Sequence, residues 1–475
     1  MTPPPAAPSS AASRWFAVGW GLVVVGVVGE AFAYPALALG PAAAAAVGYL
    51  LVLAAAPRAR WSAAWLLGMT LLVRVPGVVL GPVLSDDLHR YVWEGEVVRR
   101  GLDPYALGPN AAELAGLRAE LPALHAVLNH PDVSAAYPPL TQAVHAGLVA
   151  LARIPGGDFV ARAELLVRGF YLACDLGVFA LLLGLAARRG RSAASAAAWG
   201  FCPLLAFEFG GSGHFDALAI LLVVAAFAWT ERATEDRAPA PPTARKRAAP
   251  LAPLGAGLAL VAAVLVKFLP IVALAGWVRE RRASWAKLAV LALALGVGLA
   301  PLLASARGLA GLGEYASRWE AFNVVHRVVY GALERWRGSG ADPLELAHDS
   351  RIACGVLWLV AVAVAWRRCR GDGLAFTRAA IGAFLVLTPV LHPWYLAWIV
   401  PFLALGAHPA WAWLVASGPF LYATLAGGRA RGDWSEPAWL WPFVVVPLVL
   451  LAGFELARAR RASRVRGESA SSARP

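Results

Sequence analysis

Ser85-Asp86-Asp87-Leu88-His89-Arg90-Tyr91-Val92-Trp93-Glu94-Gly95 is a dense polar stretch that follows three apolar runs, at residues 15–33, 36–56 and 61–82. If the stretch is helical, Asp86 or Asp87 shares a face with Arg90, and Asp87 also with Tyr91. The plain alternative is a solvated helix start, with Ser85 or Asp86 as its cap. What decides between them is the rest of the chain. The 475 residues are 59% hydrophobic and only 15% charged, where soluble domains carry about a quarter. The mean hydropathy is +0.62. Long apolar runs recur from end to end, so the chain is expected to be all-α and polytopic, with about 12–14 transmembrane or re-entrant helices. Twenty Trp and 34 Pro suit that class.

Boundaries follow from composition. Residues 1–14 are rich in Pro, Ala and Ser and are expected to be a disordered tail. Residues 15–456 form the transmembrane domain, interrupted by polar loops at 85–136 and 304–351 and by a Pro/Ala/Arg/Lys linker at 231–250. Further spans are expected at 164–187, 192–209, 217–230, 285–303, 352–366, 374–391, 394–405, 410–426 and 437–456, with a shorter apolar helix at 137–154. Residues 251–278 are too long for one span and too short for two; their middle, Val266-Lys267-Phe268-Leu269-Pro270, suggests a broken hairpin. Residues 457–475 are a basic tail.

The net charge of +13 is a topology signal rather than a sign of nucleic acid, because most basic residues sit in short loops between spans. With the N terminus in the cytoplasm and the 137–154 helix dipping without crossing, Arg58, Arg60, Arg188–Arg191, the 231–250 linker, Arg279–Arg282, Arg367–Arg370 and the tail all fall inside. Arg429 and Arg431 are the exceptions. The loops at 85–136 and 304–351 then face the exterior or periplasm from an inner-membrane protein. Four cysteines lie in or at the ends of spans and imply no disulfide framework. There is no GxxxxGK[ST], no well-placed GxGxxG and no HExxH, so nucleotide-driven transport, dinucleotide chemistry and metal hydrolysis lack support.

That orientation gathers the unusual polar residues on one side: Asp86, Asp87, His89 and Arg90; Tyr105; Tyr137; His214 and Asp216; Lys267; His392, Trp394 and Tyr395. Glu314, Trp319, Asn323 and His326 of the second loop join them. Lys267 is the sharpest, since a lysine in an apolar run is costly and usually functional; the alternative is snorkelling to the interface. His214 and Asp216 open a helix, where an acid also serves as an ordinary cap. His392 and Trp394 suit an aromatic belt as well as a site.

The blocks Asp86–Gly95, Gly101-Leu102-Asp103-Pro104-Tyr105, Tyr137-Pro138-Pro139-Leu140, Gly213-His214-Phe215-Asp216-Ala217, Val266–Pro270 and His392-Pro393-Trp394-Tyr395 together resemble the bacterial GT-C glycosyltransferases, multi-span enzymes that use polyprenyl-phosphate sugars, often mannose. The resemblance runs from Trp61 to about Leu405. It implies a large external first loop carrying a catalytic base, Asp86 or Asp87, with Asp86 slightly favoured. Arg90, Lys267 and His392 are then expected to hold the donor phosphate. Tyr91, Glu94, Tyr105, Tyr137, His214, Asp216, Trp394 and Tyr395 are candidates for contacting acceptor or substrate. The chemistry agrees: an inverting transfer needs a carboxylate to take the acceptor proton and cations to hold a leaving phosphate. The expected partners are a polyprenyl-phosphate sugar donor, a lipid or glycan acceptor and the bilayer, with no nucleic acid. No cofactor is required, although two adjacent acids would suit a divalent cation. The alternative function is a secondary transporter or flippase for an anionic or lipid-linked substrate, with its broken helix at Lys267.

Overall fold

The computed structural model describes residues 9–34, 39–235, 252–281, 283–338, 340–432 and 435–472. The described residues contain helices and turns and no strand, as a bilayer demands of an open chain. In order they are α1 (Ser10–Ala33), α2 (Leu39–Ala55), α3 (Ala63–Leu80), α4 (Asp87–Arg99), the short α5 (Ala115–Glu120) and α6 (Pro122–Ala126), α7 (Pro139–Ala152) and α8 (Phe159–Arg188). Then come α9 (Ala197–Gly200), α10 (Leu205–Glu208), α11 (Asp216–Glu235), α12 (Ala252–Val266), α13 (Ile271–Arg281), α14 (Trp285–Ala304), α15 (Ala310–Arg318) and α16 (His326–Arg337). The chain ends with α17 (Pro343–Arg368), α18 (Gly373–Leu387), α19 (Val400–Leu405), α20 (Pro409–Ala416), α21 (Ala423–Arg431) and α22 (Leu440–Ser472). Six of these, α1, α3, α8, α14, α17 and α22, are long and apolar enough to cross a membrane. The chain is an all-α polytopic membrane protein.

Some boundaries differ from the sequence reading. Helix α1 begins at Ser10, where the Ser9 Oγ accepts from the Ala12 N–H at 3.3 Å; residues 1–8 lie outside the described residues, as does most of the 231–250 linker. The apolar stretch 192–209, expected to be one span, is broken into a 3₁₀ turn, α9 and α10. Hydropathy does not distinguish a crossing helix from short buried pieces, and nearly every residue of 194–209 is buried. The loop at 304–351 carries α15 and α16 and the first turns of α17.

The chain forms two compact units. The first comprises residues 1–73, 186–204 and 399–475. In it α1 packs along α2, and α20 packs on α22. The Glu455 carboxylate caps α20 by accepting from the Ala410 N–H at 2.8 Å. The second comprises residues 74–185 and 205–398 and holds every candidate site residue. In it α4 lies against α7. A Cβ at Gly95 would stand 2.9 Å from the His145 backbone, so that approach needs glycine. Arg74, a charge inside an apolar helix, finds Asp175 of α8 at 2.7 Å and 3.1 Å; both are buried. Leaving either alone in that setting would be strongly destabilising.

The hairpin at Lys267 is present. Helix α12 stops at Val266, α13 starts at Ile271, and the Trp277 ring returns to sit against Gly257. The Thr141 Oγ1 of α7 donates to the Val266 carbonyl at 2.6 Å, satisfying one of the carbonyls that a helix end leaves free. The Trp277 Nε1 donates to Thr230 Oγ1 at 2.9 Å, tying the returning arm to α11.

Candidate active site

Helix α4 starts at Asp87, with Asp86 at its N-cap position, yet the Asp86 side chain makes no capping hydrogen bond. It turns instead to Asn129, whose Nδ2 donates to Asp86 at 2.8 Å and to Asp87 at 3.0 Å. One amide thus bridges both carboxylates. Asp86 is exposed and Asp87 half-buried. Burial, with the Asp86 charge beside it, pushes the Asp87 carboxyl up to about 6, while Asn129, Arg90 and Lys267 pull it the other way. Asp87 is therefore the more buried acid of the two and lies within electrostatic reach of Lys267.

Asn129 was not among the residues the sequence singled out. It lies on a loop that Arg90 holds in place. The Arg90 guanidinium donates to the carbonyls of Asn129 (3.3 Å), His130 (3.0 Å) and Val133 (2.9 Å), and to Glu94 at 2.7 Å and 3.1 Å. The structure places two of the expected residues among protein partners. Arg90, expected at the donor phosphate, is a buried clamp with its donors engaged. Glu94, expected at the acceptor, is buried between Arg90 and the Gln142 Nε2, which donates to it at 2.7 Å. Within the clamped loop His130 has φ +42°, a strained value for a residue with a Cβ. Its ring packs edge-on against Trp319 at 4.4 Å, so the second polar loop meets the first there.

Glu96 is buried too, against Arg99 (2.9 Å), Arg100 (3.3 Å) and Arg153 (2.9 Å). Burial alone would raise its carboxyl, but the hydrogen bonds from Arg99 and Arg153 hold it below its usual value. It fastens α4 to the end of α7 and stands apart from the acid pair.

The second half of the site forms around Lys267. Its Nζ donates to Asp216 Oδ1 at 2.6 Å, and the side chain is only 17% exposed. It is paired and does not snorkel. The ammonium also lies over the Tyr395 ring at 4.5 Å and the Phe215 ring at 5.2 Å. The Trp398 Nε1 donates to the same Asp216 oxygen at 2.6 Å. The other oxygen, Oδ2, is buried with no hydrogen-bond partner among the described residues. Asp216 opens α11, but its carboxylate reaches these distant partners rather than serving as a simple cap.

Aromatic rings wall this pair. Tyr137 packs on Phe215 at 4.5 Å and on Tyr91 at 6.1 Å. Tyr91 itself is buried and stacked on His145 at 4.6 Å, so it supports the wall rather than facing a substrate. Tyr105 is also buried and donates its hydroxyl to the Tyr137 carbonyl at 3.0 Å, which makes it a brace for Tyr137. The imidazoles of His214 and His392 both stack on the Trp394 indole, at 4.1 Å and 4.3 Å. His214 is buried with its Nε2 3.2 Å from Glu208. The Tyr395 hydroxyl meets the Tyr315 hydroxyl at 2.7 Å. Tyr315, on α15, is a second residue the sequence reading missed. No local pattern marks it; only the fold brings the second loop over Tyr395.

The structure thus brings together Asp86, Asp87, Tyr137, Asp216, Lys267 and Tyr395, with His214, His392 and Trp394 stacked beside them. A carboxylate with a raised pKa and a paired lysine within electrostatic reach of it can take a proton and hold an anion.

The comparisons with known proteins bear on this arrangement. A family model described as "Alpha-(1->6)-mannopyranosyltransferase, N-terminal domain" matches residues 7–281. The chain belongs to this family. The matched residues include Asp86, Asp87, Asn129, Asp216 and Lys267, whereas Tyr315, His392, Trp394 and Tyr395 lie beyond them. A curated relative, described as a probable alpha-(1->6)-mannopyranosyltransferase of Mycolicibacterium smegmatis (strain ATCC 700084 / mc(2)155), is 26% identical over 401 residues, covering 76% of this chain and 69% of the relative. No solved structure matches. Membership makes the protein a glycosyltransferase acting on mannose, in keeping with the GT-C resemblance, rather than a transporter.

Proposed function

We propose that the protein transfers mannose from a polyprenyl-phosphate donor to a hydroxyl of a lipid or glycan acceptor, on the external face of the inner membrane, by a single inverting displacement. The relative's name carries a 1->6 linkage, which supports a 6-OH as the acceptor hydroxyl. The observation that carries the reading is a half-buried acid with a raised pKa, Asp87, within electrostatic reach of a lysine at a helix break, Lys267, whose own ion-pair partner is Asp216, in a membrane protein of this family.

Asp87 is the base. A group with a pKa of about 6 is largely ionised at neutral pH and still basic enough to accept a proton. Asn129 positions the pair, and Asp86 on its exposed side meets the incoming acceptor. As the acceptor oxygen attacks the anomeric carbon, its proton passes to Asp87 and the bond to the donor phosphate breaks. Lys267 faces the charge that grows on that phosphate, with Asp216 holding the ammonium in place. His392 and the hydroxyls of Tyr315 and Tyr395 offer further donors nearby. The acceptor sugar packs against the aromatic wall of Tyr137 and Tyr395, with Trp394 held behind it between His214 and His392. The prenyl chain stays among apolar helices, so donor and enzyme remain in the bilayer.

The test offers purified protein in detergent radiolabelled polyprenyl-phosphate mannose and a membrane lipid extract. Label should move to a lipid or glycan product with wild type and not with Asp87→Asn. Full turnover by both Asp86→Asn and Asp87→Asn would remove the acid pair from the mechanism.

A further inference from the structure

The first unit contains a cavity of about 530 Å³ that the transfer reaction does not use. Arg58, Arg60 and Arg191 line it, with Trp61 and Ser62 on one wall and the 190–193 turn on the other. No carboxylate is among its lining residues. The walls are tied together locally. Gly190 has φ +63°, which lets α8 end in a tight turn where the Arg191 N–H returns to the Ala186 carbonyl at 2.9 Å. The Ser192 hydroxyl donates to the Ala59 carbonyl at 2.5 Å and so fixes one wall against the other.

Loops of this kind carry arginine simply to set topology. Such arginines would extend into water, each nitrogen hydrated. Here the Arg191 Nε and the Trp61 Nε1 are both buried, and neither has a hydrogen-bond partner among the described residues. Burying a donor without a partner is costly, most of all on a charged group. Burial and the neighbouring Arg189 charge also push the Arg191 guanidinium below its usual value. Ser62 opens α3, its Oγ accepting from the Trp65 N–H at 3.3 Å, so the positive end of that helix adds to the field on the cavity. Three guanidinium groups, two unsatisfied buried donors and a helix N-terminus all favour one kind of occupant.

We propose that this cavity binds a phosphate group, supplied by an anionic lipid headgroup or by free phosphate, at a site separate from the catalytic one. A phosphate has the charge and the acceptor oxygens that a guanidinium matches in pairs. The volume lies in the range of small-ligand sites and accommodates a phosphate with its glycerol. The bulk of Trp61 suits a position at the headgroup level.

The experiment uses the full chain in nanodiscs of zwitterionic lipid. Its thermal midpoint is titrated with dihexanoyl phosphatidate, with inorganic phosphate, and with dihexanoyl phosphatidylcholine as the control. The expected result is a saturable rise with phosphatidate and none with the choline lipid. A rise with phosphatidate alone assigns a lipid headgroup; a rise with inorganic phosphate as well assigns the free anion. Arg191→Gln should weaken the apparent affinity about tenfold, as loss of a charge-assisted contact does. Arg60→Gln, at an exposed position that tolerates change, should weaken it several-fold. No saturable rise with either phosphate compound, or equal affinity in wild type and both variants, would overturn the assignment. Asp87→Asn protein should bind as wild type does, so the outcome is independent of the transfer chemistry.

Discussion

Asp87→Asn should remove sugar transfer and make the protein more stable at neutral pH. The Asp87 carboxyl is raised from 3.8 to about 6 by burial and by Asp86. A shift of about two units at 1.36 kcal/mol each is a penalty of about 3 kcal/mol for holding the carboxylate ionised in the fold. The sign follows from proton counting. Between pH about 4 and about 6 the folded protein keeps a proton that the unfolded chain has released. The contribution of this group to stability is therefore greatest at low pH, falls as pH rises through that window, and is constant above it. Asparagine does not ionise, and its Oδ1 still accepts from Asn129. The two proteins should melt together near pH about 4, and the variant should melt several degrees higher near pH about 7.5. Loss of a general base costs about 10²–10⁴ in rate. Wild-type transfer should itself fall as pH drops below about 6, as the base takes up its proton. The assay is Trp fluorescence on heating in detergent at a series of pH values, alongside label transfer. A variant less stable than wild type at neutral pH, or a difference that does not change with pH, would refute the reasoning. The carboxylate would then be a structural partner of Arg90 or Lys267.

Three further changes separate chemistry from support. Lys267→Ala leaves Asp216 buried and uncompensated, so stability should fall by up to about 3–5 kcal/mol and donor KM should rise; adding Asp216→Asn should restore the melt but not donor use, and recovery of both would make the pair purely structural. Asn129→Ala removes a hydrogen bond that lowers the Asp87 carboxyl, so the acid limb of the rate profile should move to higher pH; a slower enzyme with an unmoved limb would count against a positioning role. Arg90→Lys loses the grip on three loop carbonyls, so the melt should drop by about 2 kcal/mol or more. A raised donor KM with an unchanged melt would instead return Arg90 to the phosphate.

How far the site was legible depended on where each partner lay. The helical face of Asp86 and Asp87, the break at Lys267 and the membrane class are local properties, and the sequence displays them. The roles of Arg90 and Glu94 are not local. The resemblance implied a phosphate contact for Arg90 and an acceptor contact for Glu94, but the groups that engage them come from 39 to 43 residues further on and from α7. Tyr315 is invisible for the same reason, since it matters only once α15 reaches Tyr395, 80 residues away. Charges inside apolar runs are a more instructive case. Arg74 and Lys267 each stand alone in a hydropathy plot, and the cost of an unpaired charge there implies that a partner exists. It does not say which. Asp175 and Asp216 occupy comparable settings, each an acid at or within an apolar helix, and pattern alone gives no ground for treating the pairs differently. The structure does. The Arg74–Asp175 pair is fully buried and closed on both sides, whereas Lys267 keeps 17% of its side chain exposed, and its partner Asp216 holds one oxygen without a hydrogen bond among the described residues. A closed pair has no capacity left for a substrate anion; a pair whose cation remains partly accessible does. That difference, rather than the presence of a buried charge, is what singles out Lys267 over Arg74 in the proposal for the donor phosphate.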